Sequence, residues 1–212
     1  MHITKLGHCC LILEENGVRI MTDPGAYSTL QNEVKGIDYI FITHEHQDHF
    51  HVESLKKVLA NNPEARIITN KGVGKLLDVE KISYELLEHG HAGEFDGVHV
   101  EGFGEKHAVI YAAFGQVQNT GYFFQNRFFY PGDAFYNPLR PVEILALPVA
   151  GPWMKISDAV DYAKVLKPEI CFPVHDAVLA QRKPFLMPPE KFLPLAGIEF
   201  RDAVEGTKLT FD

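Results

Sequence analysis

The sequence predicts an α+β fold in which two blocks of β-strands stack as a layered sandwich and helices cover its outer faces. Three observations carry this. Short strand-like runs separated by turn residues recur along the chain. One of them, Tyr39-Ile40-Phe41-Ile42-Thr43, is a continuous β-branched and aromatic run, the mark of a buried strand. A few stretches between strands carry apolar residues at helical spacing. Strands that meet strands need a sandwich, and amphipathic helices must lie on its outside. A four-layer αββα sandwich is one arrangement that meets both demands.

The elements follow in order. Cys9 to Leu13 and Val18 to Thr22 read as a hairpin around Glu14-Glu15-Asn16-Gly17, and Asp23-Pro24-Gly25 ends it. The buried strand at 39–43 comes next. Val52, Leu55, Val58 and Leu59 mark a helix over about residues 52–60. Arg66 to Thr69 is a strand, residues 71–77 a short helix, and Ile82 to Leu86 a strand. From Glu94 to Val109 the pattern alternates. Residues 122–124 and 128–130 form a hairpin about Gln125-Asn126-Arg127. Glu143 to Val149 is a strand. Ser157 is expected to cap a helix that runs to Leu166, before Pro168 stops it. Ile170-Cys171-Phe172 is a strand leading to Pro173-Val174-His175. Ile198 to Arg201 and Thr207 to Phe211 are expected to close the chain as a hairpin around Glu205-Gly206. No repeat or linker interrupts the sequence, so residues 1–212 are expected to form one domain.

Composition narrows the class. With 212 residues, 46% of them hydrophobic and 23% charged, the chain can build a core without disulfide or metal staples. Its net charge is −8, whereas nucleic-acid binding relies on basic stripes. Lys56-Lys57 and Arg182-Lys183 are too short for that and read as solvated surface. No nucleic-acid partner is expected. The three cysteines, Cys9, Cys10 and Cys171, are too few and odd in number for a disulfide framework. They read as core residues of a reducing, cytoplasmic protein. Met1-His2-Ile3-Thr4-Lys5 lacks the apolar region of a signal peptide, and no run of 18 apolar residues suggests a membrane span. Oligomeric state is not legible.

The chemistry concentrates in His44-Glu45-His46-Gln47-Asp48-His49, at the junction of the buried strand and the following helix. Imidazole and carboxylate are the usual ligands of zinc, and imidazole also suits iron and nickel. A strand end is rigid while the loop beyond it is open to solvent, which suits a reactive site. The compact spacing cannot seat all four groups on one ion without strain. His44 and His46 can share one while Asp48 and His49 reach a second. Further ligands are available at His107, Asp133 and His175, each near a strand end.

His-x-His-x-Asp-His resembles the signature of the metallo-β-lactamase superfamily, and the resemblance extends from about His8 to His175. It implies the αββα sandwich. It implies that His44, His46 and His107 hold one metal, that Asp48, His49 and His175 hold another, and that Asp133 bridges them. Thr22-Asp23-Pro24 resembles the family's early aspartate motif, with Asp23 orienting the histidine loop. The Gly-His-Thr-x-Gly pattern of the glyoxalase-like and true β-lactamase branches is absent at Gly104-Glu105-Lys106-His107-Ala108-Val109. There is no room for the flavin domain or nucleic-acid insert of other branches. Leu6-Gly7-His8-Cys9 and Leu147-Pro148-Val149-Ala150-Gly151 resemble the compact branch that includes ascorbate-6-phosphate lactonase, which would place His8 at the pocket. The implied cofactors are two divalent ions, zinc foremost, with manganese, iron or nickel as alternatives. The implied reaction is hydrolysis of a small-molecule lactone or ester, phosphorylated or not, with Asp48 or Asp133 accepting or relaying a proton. A phosphodiesterase, a non-haem iron oxidoreductase on the same ligands, and a metal-binding protein without catalysis are the other readings. The loop 151–155 would border the pocket, with Lys155 available to an anionic group.

Overall fold

Three tight turns organise the antiparallel parts of the fold in a computed structural model that describes residues 1–212. Asn16 and Gly17, with φ of 52° and 82°, join β2 (Cys10–Glu15) to β3 (Val18–Thr22). Two central residues with positive φ twist a hairpin in the sense its strands require. Asp96 and Gly97, at 49° and 87°, do the same between β7 (Ala92–Phe95) and β8 (Val98–Phe103). Gln125 and Asn126, at 52° and 54°, turn β9 (Gly121–Phe124) into β10 (Phe128–Tyr130).

Two seven-stranded mixed sheets result. The first is completed by β1 (His2–Gly7), β4 (Tyr39–Phe41), β5 (Arg66–Thr69), β6 (Glu85–Leu86) and β14 (Lys208–Thr210), in the order β14-β1-β2-β3-β4-β5-β6. The second adds β11 (Ile144–Pro148), β12 (Ile170–Val174) and β13 (Glu199–Phe200), in the order β13-β12-β11-β10-β9-β8-β7. Side chains alternate across each strand. Leu11, Leu13, Phe41, Phe124, Phe128 and Phe172 fill the space between the sheets. Cys10, Ile12, Ile40 and Ile67 face outward onto α1 (Val52–Asn61) and α2 (Lys71–Glu80). Phe123, Phe129, Leu145 and Cys171 face outward onto α3 (Ile156–Leu166) and α4 (Lys183–Phe192). This is the αββα sandwich. The three cysteines are free and buried, and Cys9 and Cys10 point to opposite faces of the first sheet. No helix is long and apolar enough to cross a membrane.

Several expectations are corrected. Residues 198–211 do not form a hairpin. β13 pairs with β12 and β14 with β1, so this segment crosses from one sheet to the other. The Lys5 N–H donates to Thr207 O (2.9 Å) and Lys5 O accepts the Gly206 N–H (2.8 Å), which commits the turn to β1. Ser157 is not the cap of α3. Lys155 occupies that position, and its N–H donates to the Asp158 carboxylate at 2.8 Å. The strand expected from Ile82 shrinks to two residues, because the Ile82 N–H closes the end of α2 on Leu77 O at 3.0 Å. The alternating run from Glu94 is a hairpin that ends at Phe103. The helix α4, with Pro188 and Pro189 inside it, was not expected, since proline costs a helix interior its N–H. β1 was not expected either.

Candidate metal centre

In each sheet one strand marks the change from antiparallel to parallel pairing. These are β3 and β10. Each runs into a loop carrying a buried aspartate, Asp23 or Asp133. The carboxyl ends of parallel strands at such a point open a crevice. β4 delivers the segment 44–49 to it, and β12 delivers His175.

Asp23 anchors the arrangement. Its Oδ1 accepts the Thr43 N–H (2.8 Å). Its Oδ2 accepts the Thr43 hydroxyl (2.7 Å), His49 Nδ1–H (2.7 Å) and the Tyr130 hydroxyl (2.5 Å). Gly25 lets the β3 loop lie against the segment 44–49, since a Cβ there would stand 1.8 Å from Asp48 O. Gly132, with φ of 64°, does the same for Asp133, where a Cβ would meet Asn119 Oδ1 at 2.4 Å. The freed Asn119 Oδ1 accepts the Asp133 N–H at 3.1 Å.

Hydrogen bonds then set the tautomers. The Thr43 hydroxyl has given its hydrogen to Asp23, so at 3.0 Å it accepts His44 Nδ1–H. His49 Nδ1–H goes to Asp23, and His107 Nδ1–H to Ala108 O at 2.5 Å. All three rings therefore turn an Nε2 lone pair inward. His44 Nε2, His49 Nε2, Asp133 Oδ1 and both ring nitrogens of His175 are buried without a hydrogen-bond partner. Orphaned buried polar atoms are costly.

Three groups of close donor atoms result, His44 with His46 and His107, Asp48 with His49, His175 and His8, and Cys9 with His49 and Asp133. Asp133 stands between the first two. Its Oδ1 is 3.1 Å from His49 Nε2, and its Oδ2 is 2.9 Å from His175 Nε2 and 3.3 Å from His107 Nε2. Asp48 Oδ2 is 3.2 Å from His175 Nε2. Nitrogen and carboxylate lone pairs at such distances repel unless protons or cations lie between them. Imidazole and carboxylate in this number suit divalent ions, so the cluster is able to bind metal.

Protons fill that role when no cation does. Burial works to raise the pKa of Asp133, but His49 and His175 overcome it and hold the carboxyl well below its usual range. Burial works to lower His175, yet Asp133 and its neighbours raise it to about 10. His44 faces no carboxylate as closely, and burial lowers it far below the usual histidine range.

His8 also sits in the cluster, in a different role. Its Nδ1 accepts the Ala177 N–H at 3.2 Å, so its proton is on Nε2, which donates to Asp48 Oδ2 at 3.2 Å. Burial, the main cause, lowers its pKa to about 4 and keeps the ring neutral. His8 thus orients Asp48 and has no lone pair to offer an ion. Cys9, read from sequence as core, packs between the sheets and also lies close to His49 and Asp133. The loop 151–155, expected to border the pocket, reaches the cluster through Trp153 rather than Lys155. The Trp153 Nε1–H donates to Asp133 Oδ2 at 2.9 Å, and its ring meets His107 and His175 edge-on. The sequence pointed to the loop but not to the role of its tryptophan. Lys155, two residues on, is exposed at the start of α3.

Residues 2–175 match the family described as the beta-lactamase superfamily domain. Protein Rv0786c of Mycobacterium tuberculosis is 34% identical over 185 residues, 85% of this chain and 86% of that one. A UPF0173 metal-dependent hydrolase of Aeropyrum pernix is 28% identical over 82% of this chain and 81% of its own length. Among solved structures, Igni18, a metallo hydrolase of the archaeon Ignicoccus hospitalis, superposes with a TM-score of 0.79. The match covers 100% of this chain and 98% of that one at 22% identity, a likeness of fold.

Proposed function

The chain belongs to the beta-lactamase superfamily domain family, and from that premise we propose that it is a metal-dependent hydrolase with a two-ion centre, acting on a small lactone or ester. His44, His46 and His107 would hold one ion, and Asp48, His49 and His175 the other, with Asp133 shared. Zinc suits this donor set first, and manganese, iron and nickel are its competitors. The observation that carries the reading is the convergence of buried, unpartnered donor atoms whose tautomers are already set for coordination. The name of the Aeropyrum relative supports the hydrolytic class.

Two divalent ions in such a cage supply Lewis-acid polarisation of the scissile carbonyl and a water acidic enough to act as nucleophile near neutral pH. The chain's own residues do the rest. The Trp153 Nε1–H bond to Asp133 Oδ2 helps keep this carboxylate turned to the two histidine groups. Asp48 is the more exposed of the two carboxylates, its side chain 18% accessible against 3% for Asp133. Its exposure favours it over Asp133 as the group that would accept and return a proton. The His8 Nε2–H holds Asp48 Oδ2 in place meanwhile.

Elemental analysis of protein purified without added metal is expected to give about two divalent ions per chain. Protein loaded with zinc, manganese or nickel is expected to open lactones or esters. No turnover across lactone, ester and phosphodiester panels with all three metals would overturn the reading. Turnover of the phosphodiester alone would replace it with the phosphodiesterase alternative.

A further inference from the structure

The connection between β8 and β9 builds an apolar wall beside the ligand cluster. Its base is held firmly. The His107 N–H donates to Val117 O (3.0 Å), the Ala108 N–H to Asp133 O (2.8 Å), and the Gln116 amide to His107 O (2.5 Å). The arc above that base carries Val109, Tyr111 and Phe114, which are 53%, 64% and 81% exposed. Tyr111 and Phe114 touch edge to face with ring centroids 5.8 Å apart. Large apolar side chains gathered on one exposed loop mark a binding surface.

Under the arc lies a cavity of about 180 Å³. It is lined by His46 and His107 together with Ala108, Ile110, Phe114, Gln116 and Val117. No lysine or arginine lines it. A buried apolar cavity of about 150 Å³ accepts benzene, so this one has room for a single ring or a chain of about six carbons. A phosphate would call for an arginine fork, a lysine or a helix N-terminus. Lys5 and Arg182, which share a separate cavity with His8, are instead committed to Asp176 and Asp202 at 2.7 and 2.6 Å.

We propose that the cavity under residues 108–117 is the subsite for an uncharged apolar group of the substrate, a ring or alkyl chain borne next to the scissile carbonyl. The substrates are then hydrophobic lactones or esters rather than phosphorylated ones. This rests on the hydrolytic reading above. Because His46 and His107 line the cavity, a group seated there would bring its carbonyl beside the proposed ligand histidines.

The test uses two series on the zinc-loaded protein. The first is γ-lactones with alkyl chains from methyl to octyl. kcat/KM is expected to rise about fourfold per methylene up to about six carbons and then level off. Phe114→Ala and Ile110→Ala are expected to flatten that rise, and Phe114 is exposed enough for its variant to fold. The second series carries the same chains on cyclopentanone, which cannot be hydrolysed, with binding read by equilibrium dialysis. The same climb in affinity, lost in the two variants, supports the subsite whether or not any lactone is opened. Binding independent of chain length, or preference for a phosphorylated ring, overturns it. Chain-dependent binding with no turnover of any lactone or ester supports the subsite and counts against the hydrolytic reading alone.

Discussion

Single hydrogen bonds decide what each histidine can do. Asp23 holds four donors, and only the His49 Nδ1–H fixes a tautomer directly. In Asp23→Asn the amide can still accept from Thr43, but its NH2 end cannot accept from His49. Metal affinity, measured by competition with a chromophoric chelator, is expected to fall about 10- to 100-fold with the fold retained. Unchanged affinity would mean that the Asp23–His49 bond does not orient the ligand. His8 gives the opposite expectation. Its Nδ1 accepts from Ala177, so it is a donor to Asp48 and not a ligand. His8→Ala is therefore expected to bind as many ions per chain as the parent while losing turnover. Loss of one ion per chain would place His8 among the ligands. Trp153, the only tryptophan, reports on the centre through Asp133. Its fluorescence is expected to change as metal is added to metal-free protein, and a silent titration with measured uptake would separate the ring from the centre.

At the scale of elements, legibility followed how local the determinants are. The hairpin at Asn16-Gly17 was readable because two residues that tolerate positive φ lie side by side. The helix α1 was readable from its apolar spacing. The segment His44–His49 stood out because four candidate ligand residues fall within six positions, but His107, Asp133 and His175 gained meaning only through the order in which a known family places them. Trp153 could not be linked to Asp133, since a contact across two loops leaves no periodicity. The partners of β13 and β14 were hidden for the same reason, one of them being β1 at the far end of the chain. The start of α3 shows how one residue shifts a boundary. A serine before an apolar run is a normal cap, yet here the N-cap N–H is taken by Asp158, one position beyond Ser157. Asp158→Ala is expected to cost about 0.5–2 kcal/mol in denaturant unfolding, and Ser157→Ala only a few tenths. A larger cost at Ser157 would restore the boundary expected from sequence.

Across the whole molecule, the two sheets repeat one plan without any repeat in sequence. Each has three antiparallel junctions, then three parallel ones, and a buried aspartate after the strand where the pairing changes. The Tyr130 hydroxyl of one sheet bonds Asp23 of the other, so the centre is made by joining the halves. Lys5 is a second joint. From β1 it reaches Pro173 O on β12 (2.8 Å), the Asp176 carboxylate (2.7 Å) and Ala203 O in the crossing segment (3.2 Å). These contacts brace the turn that carries His175. They also bury the charged Lys5 side chain, which is 2% exposed. Burial, the largest cause, lowers the Lys5 pKa below its usual value of 10.5, and Asp176 restores only part of the loss. The unfolded chain therefore binds more protons than the native one between the depressed pKa and 10.5. Stability from this group must rise as pH rises through that window. Unfolding free energies of the parent and of Lys5→Met, measured in denaturant at steps from pH 7 to pH 10.5, are expected to diverge, with the parent gaining on the variant at the alkaline end. The difference between two curves cancels the other groups that titrate alike in both proteins, so the slope belongs to Lys5 and the groups it touches. Parallel curves would mean that the ion pair with Asp176 fully offsets burial. A parent that loses ground as pH rises would mean the pair stabilises the charged form, reversing the sign.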